Sequence, residues 1–110
     1  MGKKSVCMAT YNGEKYIQEQ INSILSQLSE TDELIISDDN STDSTIQIIK
    51  KIQDKRIKLF FNKEKGYTSN FENALMNASG DFIFLSDQDD IWADNKIEIC
   101  QEELMNYDFI

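Results

Sequence analysis

Asp81-Phe82-Ile83-Phe84-Leu85-Ser86-Asp87-Gln88-Asp89-Asp90-Ile91-Trp92 reads as a buried strand that runs out into a cluster of carboxylates. Phe82 to Leu85 is a short continuous apolar run, the pattern of a central strand buried on both faces. The acids follow where the strand must emerge, and in open α/β sheets ligands sit outside the carboxyl ends of the strands. Asp87, Asp89 and Asp90 are therefore expected at the mouth of a crevice. Carboxylates held close together repel unless a cation or a proton lies between them. Oxygen-only ligation suits Mg²⁺ or Mn²⁺ and leaves coordination positions for substrate phosphates. The competing reading is a polar turn whose acids cap the next helix. That is the better account of Asp90 or Asp94 taken singly, whereas the Asp87/Asp89 pair beside a buried strand favours a metal site.

Outward from that strand, apolar periodicity divides the chain into alternating elements. Ser5 to Ala9 reads as a first strand, closed by Thr10-Tyr11-Asn12-Gly13 with a tight Asn-Gly turn. Ile17, Ile21, Ile24, Leu25 and Leu28 recur at three- and four-residue steps and predict a helix over Glu14–Leu28. Glu33 to Ser37 is the second strand, ending in Asp38-Asp39-Asn40. Ser41-Thr42-Asp43 is expected to cap a helix carrying Ile46, Ile48, Ile49 and Ile52, with lysines in its last turn as the helix dipole prefers. Arg56 to Phe61 is a third strand, and Asn62 to Gly66 a loop. Thr68 to Ala78 predicts a third helix with Phe71, Ala74, Leu75 and Ala78 on its inner face and Gly80 as its stop. Ala93 to Tyr107 reads as a last helix, with Ile97, Cys100 and Leu104 inward.

Strand and helix alternate with short loops, which predicts an α/β fold with a parallel sheet and helices on both faces. Right-handed crossovers then bring the strand ends to one edge. Thr10-Tyr11-Asn12, Asp38-Asp39-Asn40 and Asp87 to Asp90 would meet there, and that convergence is the sequence argument for a site.

Composition narrows the chemistry. The 110 residues suffice for one domain, and 40% hydrophobic content supports a core. A formal net charge of −9 argues against nucleic-acid binding through a basic surface. Anionic nucleotides would need a metal, helix N-termini or local lysines. Histidine is absent, which removes Ser-His-Asp and Cys-His catalysis and every His-ligated zinc site. Cys7 and Cys100 fall in apolar surroundings without metal-ligand spacing and read as buried reduced thiols, compatible with a reducing cytoplasm. No stretch is long enough to span a membrane and no signal peptide is visible, so a cytoplasmic location is expected, with membrane association left to the full-length protein.

Neither a G-x-G-x-x-G after the first strand nor a P-loop occurs, which disfavours dinucleotide oxidoreductases and P-loop NTPases. The Asp38/Asp39 pair could grip a base N–H or a ribose hydroxyl, or could merely cap the following helix. Tyr11 could stack on a flat ring or serve packing, and Trp92 reads as a packing anchor. Lys63 and Lys65 could approach phosphates or simply be solvated.

Taken together, Ala9-Thr10-Tyr11-Asn12-Gly13, Ser37-Asp38-Asp39-Asn40-Ser41-Thr42-Asp43 and Asp87-Gln88-Asp89-Asp90-Ile91-Trp92 resemble the N-terminal signature of family 2 glycosyltransferases with the GT-A fold, a Rossmann-like three-layer sandwich. The resemblance extends over essentially the whole chain; each block alone is weak, and the three in order are specific. Asn70-Phe71-Glu72-Asn73 and Ser86 to Trp92 are similar to the bacterial rhamnosyltransferase-like branch. The resemblance implies that Tyr11, with the backbone near Ala9 and Thr10, holds nucleobase and ribose and that Asp39 hydrogen-bonds the base. It makes Asp87-Gln88-Asp89 the D-x-D motif, with Asp87 toward ribose or metal waters and Asp89 the direct ligand of Mn²⁺ or Mg²⁺. The implied activity is inverting, metal-dependent transfer from a nucleotide-diphosphate sugar, dTDP-rhamnose among the candidates, to a saccharide or glycolipid acceptor in cell-surface polysaccharide assembly. Two departures stand out: Thr68-Ser69-Asn70-Phe71-Glu72 lacks the arginine that many relatives carry near the third helix, and Ala93-Asp94 replaces the proline common after Ile-Trp.

Full family members continue past the D-x-D, so residues 1–110 are expected to be a single nucleotide-sugar-binding part, with the acceptor-binding part and the general base elsewhere and this chain inactive alone. Apolar surface left exposed would favour self-association. A non-catalytic or nucleotidyltransferase-like binding module and a receiver-like Mg²⁺-binding signalling domain are the alternatives. The last is disfavoured by Phe60-Phe61-Asn62 at the third strand's end, where a phosphoacceptor aspartate is required.

Overall fold

The computed structural model of the protein describes residues 2–87. The expected helix over 93–107, and with it Trp92 and Cys100, lies outside the described residues. Four parallel strands, β1 (Lys4–Thr10), β2 (Glu33–Asp38), β3 (Ile57–Phe61) and β4 (Phe82–Asp87), pair in the order β3-β2-β1-β4. They are joined by α1 (Ile17–Leu25), α2 (Thr45–Lys51) and α3 (Tyr67–Met76). The chain steps outward from β1 to β3, then returns across β1 to β4. Right-handed crossovers running in opposite directions put their helices on opposite faces. Accordingly, α1 and α2 cover one face and α3 the other, giving three layers.

Alternation along β1 and β2 feeds both layers. Val6, Met8, Leu34 and Ile36 pack under Ile17, Ile21, Ile24 and Ile49, whereas Cys7 and Ile35 face Ala74. These two strands, paired on both sides, carry the fully buried apolar run expected of β4.

β4 itself departs from its expected central place. Among the described residues it is the edge strand, with Phe84 buried under the α1 layer but Ile83 and Leu85 half-exposed on the other face. Among the described residues, α3 is seated mainly over β1 and β2 and does not bury Ile83 and Leu85. A run of apolar residues reports hydrophobicity on both faces; it does not say which neighbours are present to use it.

Helix limits also differ from expectation. α1 begins at Ile17, because Gly13 to Tyr16 form a turn in which the Gly13 carbonyl accepts both the Tyr16 and Ile17 N–H groups at 3.0 Å. It ends at Leu25, where Arg56 Nη1 donates to the Leu25 and Leu28 carbonyls at 3.0 and 2.9 Å. α2 begins at Thr45: Asp43 does accept the Thr45 N–H at 2.9 Å, but Ser41 and Thr42 are used elsewhere. α3 ends at Met76; its buried residues are Asn70 and Ala74, Ala78 just beyond it packs on the same cluster as expected, and Leu75 is exposed.

At the amino edge of the sheet the buried Glu33 carboxylate accepts from Ser5 Oγ, the Ser79 N–H, Lys58 Nζ and Lys3 Nζ. Burial opposes its charge, but those donors outweigh it and hold the carboxyl down at about 2. Gly80 passes so close to Ser5 that a Cβ would lie 2.8 Å from the Ser5 nitrogen, so the turn into β4 admits no side chain there. No helix among the described residues is long and apolar enough to cross a membrane.

Candidate functional site

Parallel register brings the polar stretches to one edge, as the alternation predicts. Thr10 lies opposite Asp38, and Ala9 lies opposite both Ser37 and Asp87. Ala9, Thr10, Tyr11, Asp38, Asp39 and the backbone of Asp87 therefore share one edge of the sheet. Asp89, with Gln88 and Asp90, lies outside the described residues, so the Asp87/Asp89 metal pair is not seen together. Among the described residues no three acids or cysteines converge as a metal cluster. A carboxylate at the end of β4 is nonetheless the donor type that a hard divalent cation takes, so Asp87 fits that role by position and chemistry.

The two acids at the end of β2 have different surroundings. Asp38 is fully buried; its Oδ1 accepts from Thr10 Oγ1 and Ser41 Oγ, each at 2.6 Å, and its Oδ2 from the Ser41 N–H at 2.7 Å. Those donors are the protein's own, and they tie two strand ends and a loop together. Asp39 is half-buried, and its carboxylate makes two longer contacts, from Asn62 Nδ2 and the Gly66 N–H, both at 3.2 Å. An ionised carboxylate offers about four lone-pair sites, so Asp39 keeps acceptor capacity toward a ligand. Gly66 adopts φ +127°, a conformation that L side chains rarely enter, which is how the loop before α3 turns its N–H onto Asp39.

Tyr11 is half-exposed at the same edge. Its neighbours are fixed from both sides. The Thr10 carbonyl accepts the Asp39 N–H at 2.9 Å and Asn70 Nδ2 at 3.2 Å, linking β1, β2 and α3 at one atom. Asn70 Oδ1 accepts from Ser37 Oγ at 2.7 Å, and Asn73 Nδ2 donates to that same hydroxyl at 2.9 Å.

The loops beyond the strands are stitched as well. Asn12, in the left-handed region at φ 49°, takes the Thr42 N–H on its Oδ1 at 2.8 Å and the Asp43 N–H at 3.3 Å. Its own N–H donates to Ser41 Oγ at 2.8 Å. Glu14 and Asp43 exchange the pattern: the Ser44 N–H donates to Glu14 Oε2 and the Glu14 N–H to Asp43 Oδ2. Apolar periodicity assigns no contacts to Asn12, Asn62, Asn70 and Asn73, because it ranks apolar positions. The available signal was the Asn-Gly turn and the surplus of asparagine at strand and helix ends.

Lys63 and Lys65 are exposed on the β3–α3 loop. A groove of about 470 Å³ runs between α3 and β4, lined by Tyr67, Phe71, Glu72, Leu75 and Leu85, next to Ser86. Cys7 is no part of the site: burial, aided by the Glu33 charge, pushes its thiol up to about 12.

Residues 5–110 match the sequence profile of Glycosyl transferase family 2. The chain is similar to the Escherichia coli UDP-Glc:alpha-D-GlcNAc-diphosphoundecaprenol beta-1,3-glucosyltransferase WfgD, with 42% identity over 96 residues, 86% of this chain and 38% of the relative. It is similar in structure to S. aureus TarS in complex with UDP-GlcNAc, at 32% identity and a TM-score of 0.83, over 96% of this chain and 32% of that one. The mannosyltransferase PcManGT from Pyrobaculum calidifontis, in complex with GDP-Man and Mn²⁺, shares the fold at 24% identity and a TM-score of 0.84, over 94% of this chain and 32% of that one. The chain thus spans between 32% and 38% of the length of these proteins.

Proposed function

Because the chain belongs to glycosyl transferase family 2, we propose that it is the donor-binding part of an enzyme that moves a sugar from a nucleotide-diphosphate sugar to a saccharide or glycolipid acceptor. The observation that carries this reading is the convergence of Tyr11, Asp39 and Asp87 at the carboxyl edge of β1, β2 and β4, with Asp39 retaining acceptor capacity. Tyr11 offers its ring to the base and Asp39 accepts a base N–H, while the Ala9–Thr10 backbone lies against the ribose. Asp38 serves by position: it holds Thr10 and Ser41 in place and leaves ligand contact to Asp39.

Asp87 and Asp89 would hold Mn²⁺ or Mg²⁺, which supplies a Lewis acid for the charge that develops on the leaving diphosphate. The general base that takes the acceptor's proton is assigned to no residue of this chain, and transfer is read as inverting. The donor is read as a uridine or thymidine diphosphate sugar, with dTDP-rhamnose suggested by the Asn70-Phe71-Glu72-Asn73 pattern. The setting is cell-surface polysaccharide assembly on the cytoplasmic side.

Calorimetric titration of UDP and of dTDP into this chain, with and without Mn²⁺, tests the reading. Binding is expected to depend on the metal, and Asp39→Ala is expected to weaken it about tenfold, the worth of one hydrogen bond to a charged group. Unchanged affinity in Asp39→Ala would remove Asp39 from the site; metal-independent binding would remove the Asp87/Asp89 role.

A further inference from the structure

We propose that Asn12 is a positioning residue for nucleotide binding, which clasps the β1–α1 loop to the β2–α2 loop so that Tyr11 and Asp39 present one rigid recognition edge. The inference rests on the donor-site reading above and adds to it a residue outside that site. Tyr11 and Asp39 belong to loops separated by an entire helix and strand, yet one base must touch both. Any slack between the loops would be removed on binding, at an entropic cost charged to affinity.

Three features assign the clasp to Asn12. Its backbone sits at φ 49°, where asparagine is tolerated far better than most residues, so the loop turns immediately after Tyr11. Its Oδ1 is shared by two backbone N–H groups of the partner loop, those of Thr42 and Asp43, with Thr42 Oγ1 at 3.4 Å. Its N–H donates to Ser41 Oγ, the same hydroxyl that donates to Asp38 Oδ1. The chain of contacts Asn12–Ser41–Asp38–Thr10 thus begins and ends beside Tyr11, on the two sides of that residue. A second bridge, Gly13 N–H to Thr45 Oγ1 at 2.8 Å, anchors the loop to the start of α2. Asn12 itself is exposed, so the clasp fills no core position, and its removal is not a packing defect.

The test separates backbone from side chain. Asn12→Gly keeps the left-handed turn and removes the acceptor; Asn12→Asp keeps an oxygen at the same place. With the 110-residue chain and UDP plus Mn²⁺ as probe, titrated well below each chain's melting temperature, Asn12→Gly is expected to lose about tenfold in affinity. Asn12→Asp is expected to stay within about threefold of the parent. In a Tyr11→Ala background, Asn12→Gly should cost less than about twofold more, because its effect passes through Tyr11. A purely structural role would lower the melting temperature and leave affinity in the folded protein unmoved, which would overturn the proposal. Full additivity with Tyr11→Ala would overturn it as well. Should Asn12→Gly not fold, Ser41→Ala, which removes the other half of the clasp, is measured in the same way, and unaltered affinity counts against the idea. If Tyr11→Ala and Asp39→Ala leave the parent's affinity intact, or the parent binds no nucleotide, the donor-site reading itself fails. If they weaken binding and Asn12→Gly does not, only the clasp fails.

Discussion

Thr10 and Asp38 close the ends of neighbouring strands on each other: Thr10 Oγ1 donates to Asp38 Oδ1 at 2.6 Å, and both side chains are buried. Ser41 meets the same carboxylate with its hydroxyl and its N–H. The carboxylate is therefore buried and engaged by the protein's own donors. One residue later, Asp39 is half-buried and held by two contacts of 3.2 Å. Two adjacent acids of identical chemistry thus differ in surroundings: Asp38 is spent on internal donors, whereas Asp39 keeps acceptor capacity.

That division predicts opposite orders in two measurements. Asp38→Ala strands the Thr10 hydroxyl and the Ser41 donors in a buried place, a loss of about 2–4 kcal/mol in urea unfolding. Asp39→Ala removes a half-exposed carboxylate and costs about 1 kcal/mol or less. In nucleotide titration the ranking reverses among folded chains, with Asp39→Ala the weaker binder. A single ranking in both assays would mean that the two acids share one role.

Much of this architecture was legible because strand and helix patterns are local. Val6 to Met8 and Leu34 to Ile36 are apolar on both faces, and the stripe from Ile17 to Leu25 has one spacing. Parallel pairing then brought Thr10, Asp38 and Asp87 to one edge without further information. What was not legible depended on partners distant in sequence. Phe82 to Leu85 reads as central because hydrophobicity alone cannot report that, among the described residues, α3 sits mainly over β1 and β2. The resemblance singles out Asp39 for the base, but the residues alone do not separate it from Asp38, because their difference lies in Thr10, Ser41, Asn62 and Gly66. The bonding of Asn70 and Asn73 is not legible in sequence, because a polar residue on an inner helix face declares itself only when the strand carbonyls and hydroxyls it must satisfy are in view.

Cys7 should be chemically silent. Burial pushes its thiol up to about 12, so the nucleophilic thiolate is scarce at neutral pH and the sulfur is inaccessible. In a Cys100→Ser variant, a thiol-reactive disulfide reagent at pH 8 should react with Cys7 only on addition of denaturant, at the rate of unfolding. Rapid labelling of the native chain would show that the α3 layer opens over β1.

Arg56 should matter to the opposite end of the molecule from the site. Its guanidinium donates to the Leu25 and Leu28 carbonyls at the end of α1 and forks onto Asp54, which holds the Asp54 carboxyl down at about 2. Arg56→Ala is expected to cost about 1–2 kcal/mol in urea unfolding, by leaving helix-terminal carbonyls without a donor where positive charge is favoured. Arg56→Lys should recover less than half, since an ammonium cannot span the same fork. Nucleotide affinity should not change in either variant.

Glu33 makes stability fall with acid in a defined window. Its folded carboxyl lies at about 2 against an ordinary value of 4.5, because Ser5, Ser79, Lys58 and Lys3 together overcome the cost of burial. A depressed folded value means that the stabilisation is complete above pH 4.5 and disappears as the pH falls toward 2. Allowing for solvent screening of the two lysines, this stabilisation amounts to about 2 kcal/mol. Glu33→Gln should therefore be less stable than the parent at pH 7 by about that amount, and the two unfolding curves should converge between pH 4.5 and 2. Asp32 and Asp54 also titrate downward and keep some acid sensitivity in both chains, so the difference between the chains isolates Glu33. A constant gap across the window would assign the Glu33 contribution to packing and neutral hydrogen bonds, with no part for its charge.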